Sequence, residues 1–177
     1  MAGWFALLAQ KQAARDQRQY ALEAERRATK NLLQAIAAEL TVLRTENVNQ
    51  LQKDLSQRAE ARKTLSNPTY VQFPPLAIVP TKQNYFIVFD SNAVGLGMID
   101  DKSLLRHIIK VYGLAKSMVD TLNTGSRDFV HYRQLSNHSL EKQIAAENLW
   151  EFEDRIRNGL GTLLNELDPL LKKLEGL

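Results

Sequence analysis

The chain has 177 residues, 44% of them hydrophobic and 24% charged, which suits one folded domain and is too apolar for a disordered chain. Its 27 Leu and 18 Ala against 8 Gly and 5 Pro make a helix-former's composition, and with no Cys disulfides, thiolate metal sites and a Cys nucleophile are excluded. A net charge of +3 is too small to mark a nucleic-acid binder.

The chain opens on an apolar tip, Met1 to Ala9, and turns polar and basic from Gln10 to Lys30. Over residues 1–30, Lys11, Arg15, Arg18, Arg26, Arg27 and Lys30 stand against Asp16, Glu23 and Glu25. The tip falls short of the roughly 18 apolar residues a membrane span needs. No basic segment precedes it, so it does not read as a signal peptide; a cytoplasmic, reducing compartment is the expectation. An aromatic tip leading into a basic helix suits an anionic lipid interface. Trp4, Phe5, Leu7 and Leu8, with Lys11, Arg15 and Arg18, are the expected membrane-contact residues. The competing expectation docks the four apolar side chains on the body of the protein or on a second copy.

From Trp4 to Asn67 there is neither Gly nor Pro, so nothing punctuates a helix. Up to Asn31 the regular stripe is small (Ala14, Ala21, Ala24, Ala28), which reads as a solvated stalk. Leu33, Ile36, Leu40, Leu43, Leu51 and Leu55 then form a packing seam. Asn47 falls where an apolar residue is due; the seam either fixes its register there or changes face, and the change of face is the expectation. Residues 1–31 thus form a tip and stalk, and residues 32–177 a single helical domain.

Four of the five prolines lie between Pro68 and Pro80, predicting a crossing connection over 66–84 anchored by Tyr70, Val71, Phe73, Leu76, Ile78 and Val79. The run Tyr85 to Phe89 allows a strand by propensity, but its continuation to Gly95 favours a short helix. Asp100 is the expected N-cap of the next helix, with Ile99 and Leu104 as a staple. That helix is expected to close at Asn123-Thr124-Gly125-Ser126, leaving 127–137 as a connection with Asn137 as the following cap. The last helix carries the most regular repeat: Ala145, Leu149, Phe152, Ile156, Leu160, Leu163, Leu167, Leu170 and Leu174. Asp168-Pro169 is a place for a new start or a kink. The predicted architecture is all-α, an elongated antiparallel helical bundle with a long N-terminal helix and a Pro-rich crossing connection.

Recognisable chemistry is scarce. His138 and Glu141 stand one helical turn apart, half of a bundle metal site, but no second Glu-x-x-His motif exists to complete it. His107 has no nucleophile at a recognisable spacing. Gly95-Leu96-Gly97 lacks the third glycine of a phosphate-binding loop, since Asp100 stands in that place. Asn137-His138-Ser139 matches a glycosylation sequon by chance composition. Arg26-Arg27 and Lys172-Lys173 are isolated basic doublets without interleaved aromatics, so no nucleic acid is expected. No cofactor, metal or catalytic residue is assigned.

Phe89-Asp90, Leu96-Gly97-Met98-Ile99, Leu104-Leu105 and Val111-Tyr112, together with the passage from Trp4–Ala9 into Gln10–Arg15, resemble a class of uncharacterised bacterial α-helical proteins. In that class an N-terminal membrane helix leads through a basic stalk into a small helical domain. The resemblance implies an all-α fold and an address at the inner face of the bacterial membrane; it implies no reaction. The chain departs from the class in its short apolar run, which leaves peripheral binding or a start further upstream. The function expected is therefore non-enzymatic, by helix–helix recognition of a protein partner or of a second copy in a homo-oligomer. The expected partner seam is Leu149, Phe152, Ile156, Leu160, Leu163 and Leu167. The alternative is a small membrane-perturbing effector acting through its apolar tip.

Overall fold

The computed structural model describes residues 2–65, 74–76, 85–137 and 139–177, with side chains from residue 10 onward. The fold is all-α, with no strand among the described residues. Helix α1 spans Ala2–Val42, a π-helical turn spans Leu43–Val48, and α2 spans Asn49–Lys63. Two short helices follow, α3 (Ile87–Ser91) and α4 (Ala93–Gly97), and then two long ones, α5 (Lys102–Gln134) and α6 (Leu140–Glu175).

The uninterrupted sequence from Trp4 lets α1 run 41 residues, but its faces divide it. From Leu32 onward Leu32, Leu33, Ile36 and Leu40 are buried. The next core residues are Leu43 and Val48, five positions apart, which is the spacing of one π-turn and not of an α-turn. The helix changes face at this point. Asn47 stays half-buried at the edge, while Val48 enters the core and Leu55 and Ala59 continue it.

Helix α6 is the central element, packed against α1, the π-turn, α2 and α5. Its buried stripe of seven leucines with Phe152 and Ile156 repeats at three and four, so one face stays inward along its length. At about 1.5–3 kcal/mol for each fully buried Leu or Ile, this face supplies much of the drive to fold. Contacts between α5 and α6 run in opposite sequence order. Asp101 Oδ2 accepts from Lys173 Nζ at 2.7 Å, His107 lies on Glu166, Met118 covers Gly159, and Phe152 sits on Gly125. Against α1 and α2 the order is also opposed: Lys30 reaches the carbonyl of Leu177, Arg44 pairs with Asp168, and Arg62 pairs with Asp154.

Several boundaries differ from the sequence expectations, each for a reason visible in the packing or the capping. Asp101, not Asp100, caps α5, its side chain accepting from the Leu104 N–H at 2.9 Å. Helix α5 does not close at Asn123–Ser126; it continues to Gln134, because Gly125 is buried against Phe152 and serves packing rather than termination. Ser139 caps α6, while Asn137 accepts a hydrogen bond from Lys142 Nζ at 2.8 Å. Asp168-Pro169 starts no new helix: Pro169 is exposed inside α6, and Asp168 pairs with Arg44. Residues 87–91 form a helix and not a strand. Gly95 and Gly97 both lie within α4, where Gly95 faces Leu32 so closely that a Cβ would stand 2.8 Å from its Cδ2.

Of the proline-rich stretch 66–84, only Pro74–Leu76 is described; the anchors Tyr70, Val71, Phe73, Ile78 and Val79 lie outside the described residues. Those three residues are held by charge. Arg58 donates to the Pro74 carbonyl at 2.7 Å and to both oxygens of the buried Glu153, and Glu153 Oε1 accepts from the Leu76 N–H at 2.6 Å.

Candidate functional site

The surface that stands apart is the first part of α1. From Gln10 to Ala28 every residue is exposed save Asp16, which Gln12 partly covers through a 3.2 Å hydrogen bond. The helix geometry explains this. The stretch has no stripe of large apolar residues to bury, only Ala14, Ala21, Ala24 and Ala28 on one side, all exposed. Its polar contacts are local, such as Gln12 with Asp16 and Arg27 with Glu23. From Leu22 to Lys30 the helix overhangs a cleft of about 430 Å3 against Met98, Asp100 and Leu177. It is tied down where Lys30 Nζ meets the Leu177 carbonyl at 3.0 Å. Residues 2–21 therefore extend about 30 Å beyond the cleft, at roughly 1.5 Å per residue.

The expected membrane-contact residues fall on this helix. Lys11, Arg15 and Arg18 are exposed, while the side chains of Trp4, Phe5, Leu7 and Leu8 lie outside the described residues. Tyr20 and Leu22 add exposed apolar surface, Tyr20 at 74%. Among the described residues, no helix is long and apolar enough to cross a membrane.

The other expected surface lies elsewhere. Leu149, Phe152, Ile156, Leu160, Leu163 and Leu167 are all buried within the chain itself, at 8% exposure or less. The face of α6 that carries them is occupied by α1, α2 and α5 of the same molecule.

Charged groups of the body clip its helices to one another. Glu39 on α1 accepts from the N–H groups of Val88 (2.8 Å) and Phe89 (3.3 Å) and from the Tyr112 hydroxyl (2.6 Å). It thereby closes the first turn of α3 from a neighbouring helix. Burial raises the Tyr112 pKa well above the ordinary tyrosine value, and the Glu39 carboxylate adds to the effect. Phe89 stacks on Tyr112 with ring centroids 4.0 Å apart, Phe86 meets it edge-on, and Lys116 pairs with Asp90 beside both phenylalanines. Lys142, nearly buried, binds the Leu135 carbonyl at 3.0 Å and lies over the Tyr132 ring, closing the turn between α5 and α6.

His107 Nε2 lies 3.0 Å from the Glu166 carbonyl and 3.4 Å from its carboxylate, which Lys110 also contacts at 2.7 Å. Lys110 above all holds the Glu166 pKa below the usual carboxylate range, with His107 contributing. His131 is exposed near the end of α5, and His138 lies outside the described residues. Sequence reasoning missed Glu39, Lys142 and Glu153 as structural groups. Their one signal is a charge at a position facing inward, Glu153 directly after the seam residue Phe152 and Glu39 directly before Leu40.

No family model matches this chain, and neither a curated protein nor a solved structure matches it.

Proposed function

We propose that this is a non-enzymatic helical protein that acts by helix–helix recognition, presenting the projecting part of α1 to a protein partner or to a second copy. The body would be an antiparallel bundle whose own seam is filled and whose work is to hold that helix out. One observation carries the reading: the same helix is buried from Leu32 onward and exposed from Gln10 to Ala28. A helix of that length without packing is marginal in water, since helices in proteins gain most of their stability from a packed face. A partner that covers it supplies what the body does not.

The basic residues Lys11, Arg15, Arg18, Arg26 and Arg27, exposed along the same stretch, support a working position beside an anionic surface, which includes the inner face of a membrane. The test compares the intact chain with one lacking residues 1–28, by light scattering over a range of concentrations and by flotation with anionic liposomes. Association or flotation of the intact chain alone supports the proposal. An intact chain that stays monomeric and does not float contradicts it.

A further inference from the structure

The exposed stretch of α1 carries a charge order that complements its own reverse. Lys11, Arg15 and Arg18 lie towards its start, and Glu23 and Glu25 follow towards the body. Arg18 and Glu25 are both exposed, and among the described residues no ion pair holds either of them. They stand seven positions apart in sequence, so they share one edge of the helix about 10 Å from each other, too far to pair within it.

The face beside that edge is Ala14, Gln17, Ala21, Ala24 and Ala28, recurring at steps of three and four and exposed throughout. Small side chains there let a second helix approach closely. The body takes a different side of the same helix: Leu33, Ile36 and Leu40 are buried and lie roughly 100° round from the alanines at 3.6 residues per turn.

We propose that this stretch pairs antiparallel with the same stretch of a second copy, with Arg18 of each copy on Glu25 of the other. The proposal rests on the reading above that α1 is held out for recognition, and it names the occupant. In this register residues 14–31 of the two copies overlap over roughly 27 Å. Ala21 meets Ala24 of the second copy, Gln17 meets Ala28, and the ring of Tyr20, 74% exposed in the single chain, receives Arg27. The charges select the register. Sliding the copies by one heptad sets Arg18 against Arg18 in one direction and Glu25 against Glu25 in the other. A parallel, in-register pair sets Ala13 beside Arg18 and Tyr20 beside Glu25, and gains no ion pair. Each copy offers both the cation and the anion, so the pair closes as a two-fold dimer. Alanines bury little apolar surface, so the association is weak and follows concentration.

Sedimentation equilibrium of the full chain at low salt, where exposed ion pairs are least screened, tests the pairing by exchanging charges. Arg18→Glu and Glu25→Arg each place like charges at both contacts, and each alone should weaken self-association about tenfold. Both positions are exposed, so the fold tolerates the changes. An equimolar mixture of the two variants should recover most of the wild-type association, because each reversed side chain then meets its opposite on the other copy. A monomeric wild type, a variant that associates as the wild type does, or a mixture no better than its components overturns the pairing. An association that deletion of residues 1–28 abolishes and the two reversals leave unchanged overturns the antiparallel register alone, and the recognition role of α1 stands.

Discussion

Two glycines on α5 separate helix propensity from packing. Gly113 is exposed, and a Cβ built there meets nothing within 4 Å. Gly125 is buried, and a Cβ there would stand 2.1 Å from Phe152 Cζ and 2.2 Å from its Cε1. Carbon atoms pack at about 3.5–4.0 Å, so the Phe152 ring would have to retreat by about 1.4 Å or more, towards the groove it borders beside Met118 and Ile156. Both substitutions to Ala gain the same propensity in a helix interior, about 1 kcal/mol. That gain cancels in the comparison, and the difference between the two variants is the overpacking cost alone, about 1–3 kcal/mol. Gly113→Ala should therefore raise stability by about 1 kcal/mol, and Gly125→Ala should fall below it by about 2. At about 2–4 °C per kcal/mol for a chain of this size, thermal melts followed at 222 nm should place the two midpoints about 6 °C apart. Adding Phe152→Leu to Gly125→Ala should recover part of the loss. If Gly125→Ala melts with or above Gly113→Ala, the close approach of α5 and α6 at this point is refuted.

Arg58→Ala should cost about 3 kcal/mol, because it leaves the buried Glu153 without its cation; Lys63→Ala, removing an exposed partner of Glu60, should leave the urea midpoint unmoved. Tyr112→Phe should cost about 2 kcal/mol through the lost hydrogen bond to Glu39. The raised Tyr112 pKa means that the wild type holds this contribution below the ordinary tyrosine pKa of about 10 and loses it as pH rises further; difference spectra at 295 nm should show this tyrosine ionising after the other four. Asp101 is held below its ordinary pKa chiefly by Lys173 and then by the Leu104 N–H, so its contribution is present above about pH 4 and disappears as pH falls through the lowered value. Asp101→Ser, which keeps a cap and removes the charge, should flatten the acid limb of the stability profile.

The sequence carried the helices and lost the joints. Leu33, Ile36, Leu40 and Leu43 show the seam of α1, and Asn47 signals that something changes. The five-residue step to Val48 becomes legible only when α6 is seen to need an apolar neighbour there. Gly125 reads as a stop beside Asn123, Thr124 and Ser126; its reason for being small lies 27 residues away, in Phe152, where no local rule reaches. Pro169 reads as a break, yet α6 continues past it with Leu170, Leu171 and Leu174 buried, because tertiary packing outweighs one missing donor. The α6 seam looked able to serve a partner since a repeat shows which face is apolar and not what covers it. The solvated character of residues 10–31 was the plainest part of the candidate surface, since a helix without large apolar residues has little to bury.

Hydrogen exchange along α1 tests the central claim most directly. In dilute solution the amides of residues 32–42, packed on α6, should exchange slowly, and those of residues 10–28 should exchange fast, as an unpacked helix does. Raising the protein concentration, or adding the partner, should protect residues 10–28 alone. Equal protection of both stretches in a dilute, strictly monomeric sample would contradict the account, since the projecting helix would then be held by the body itself.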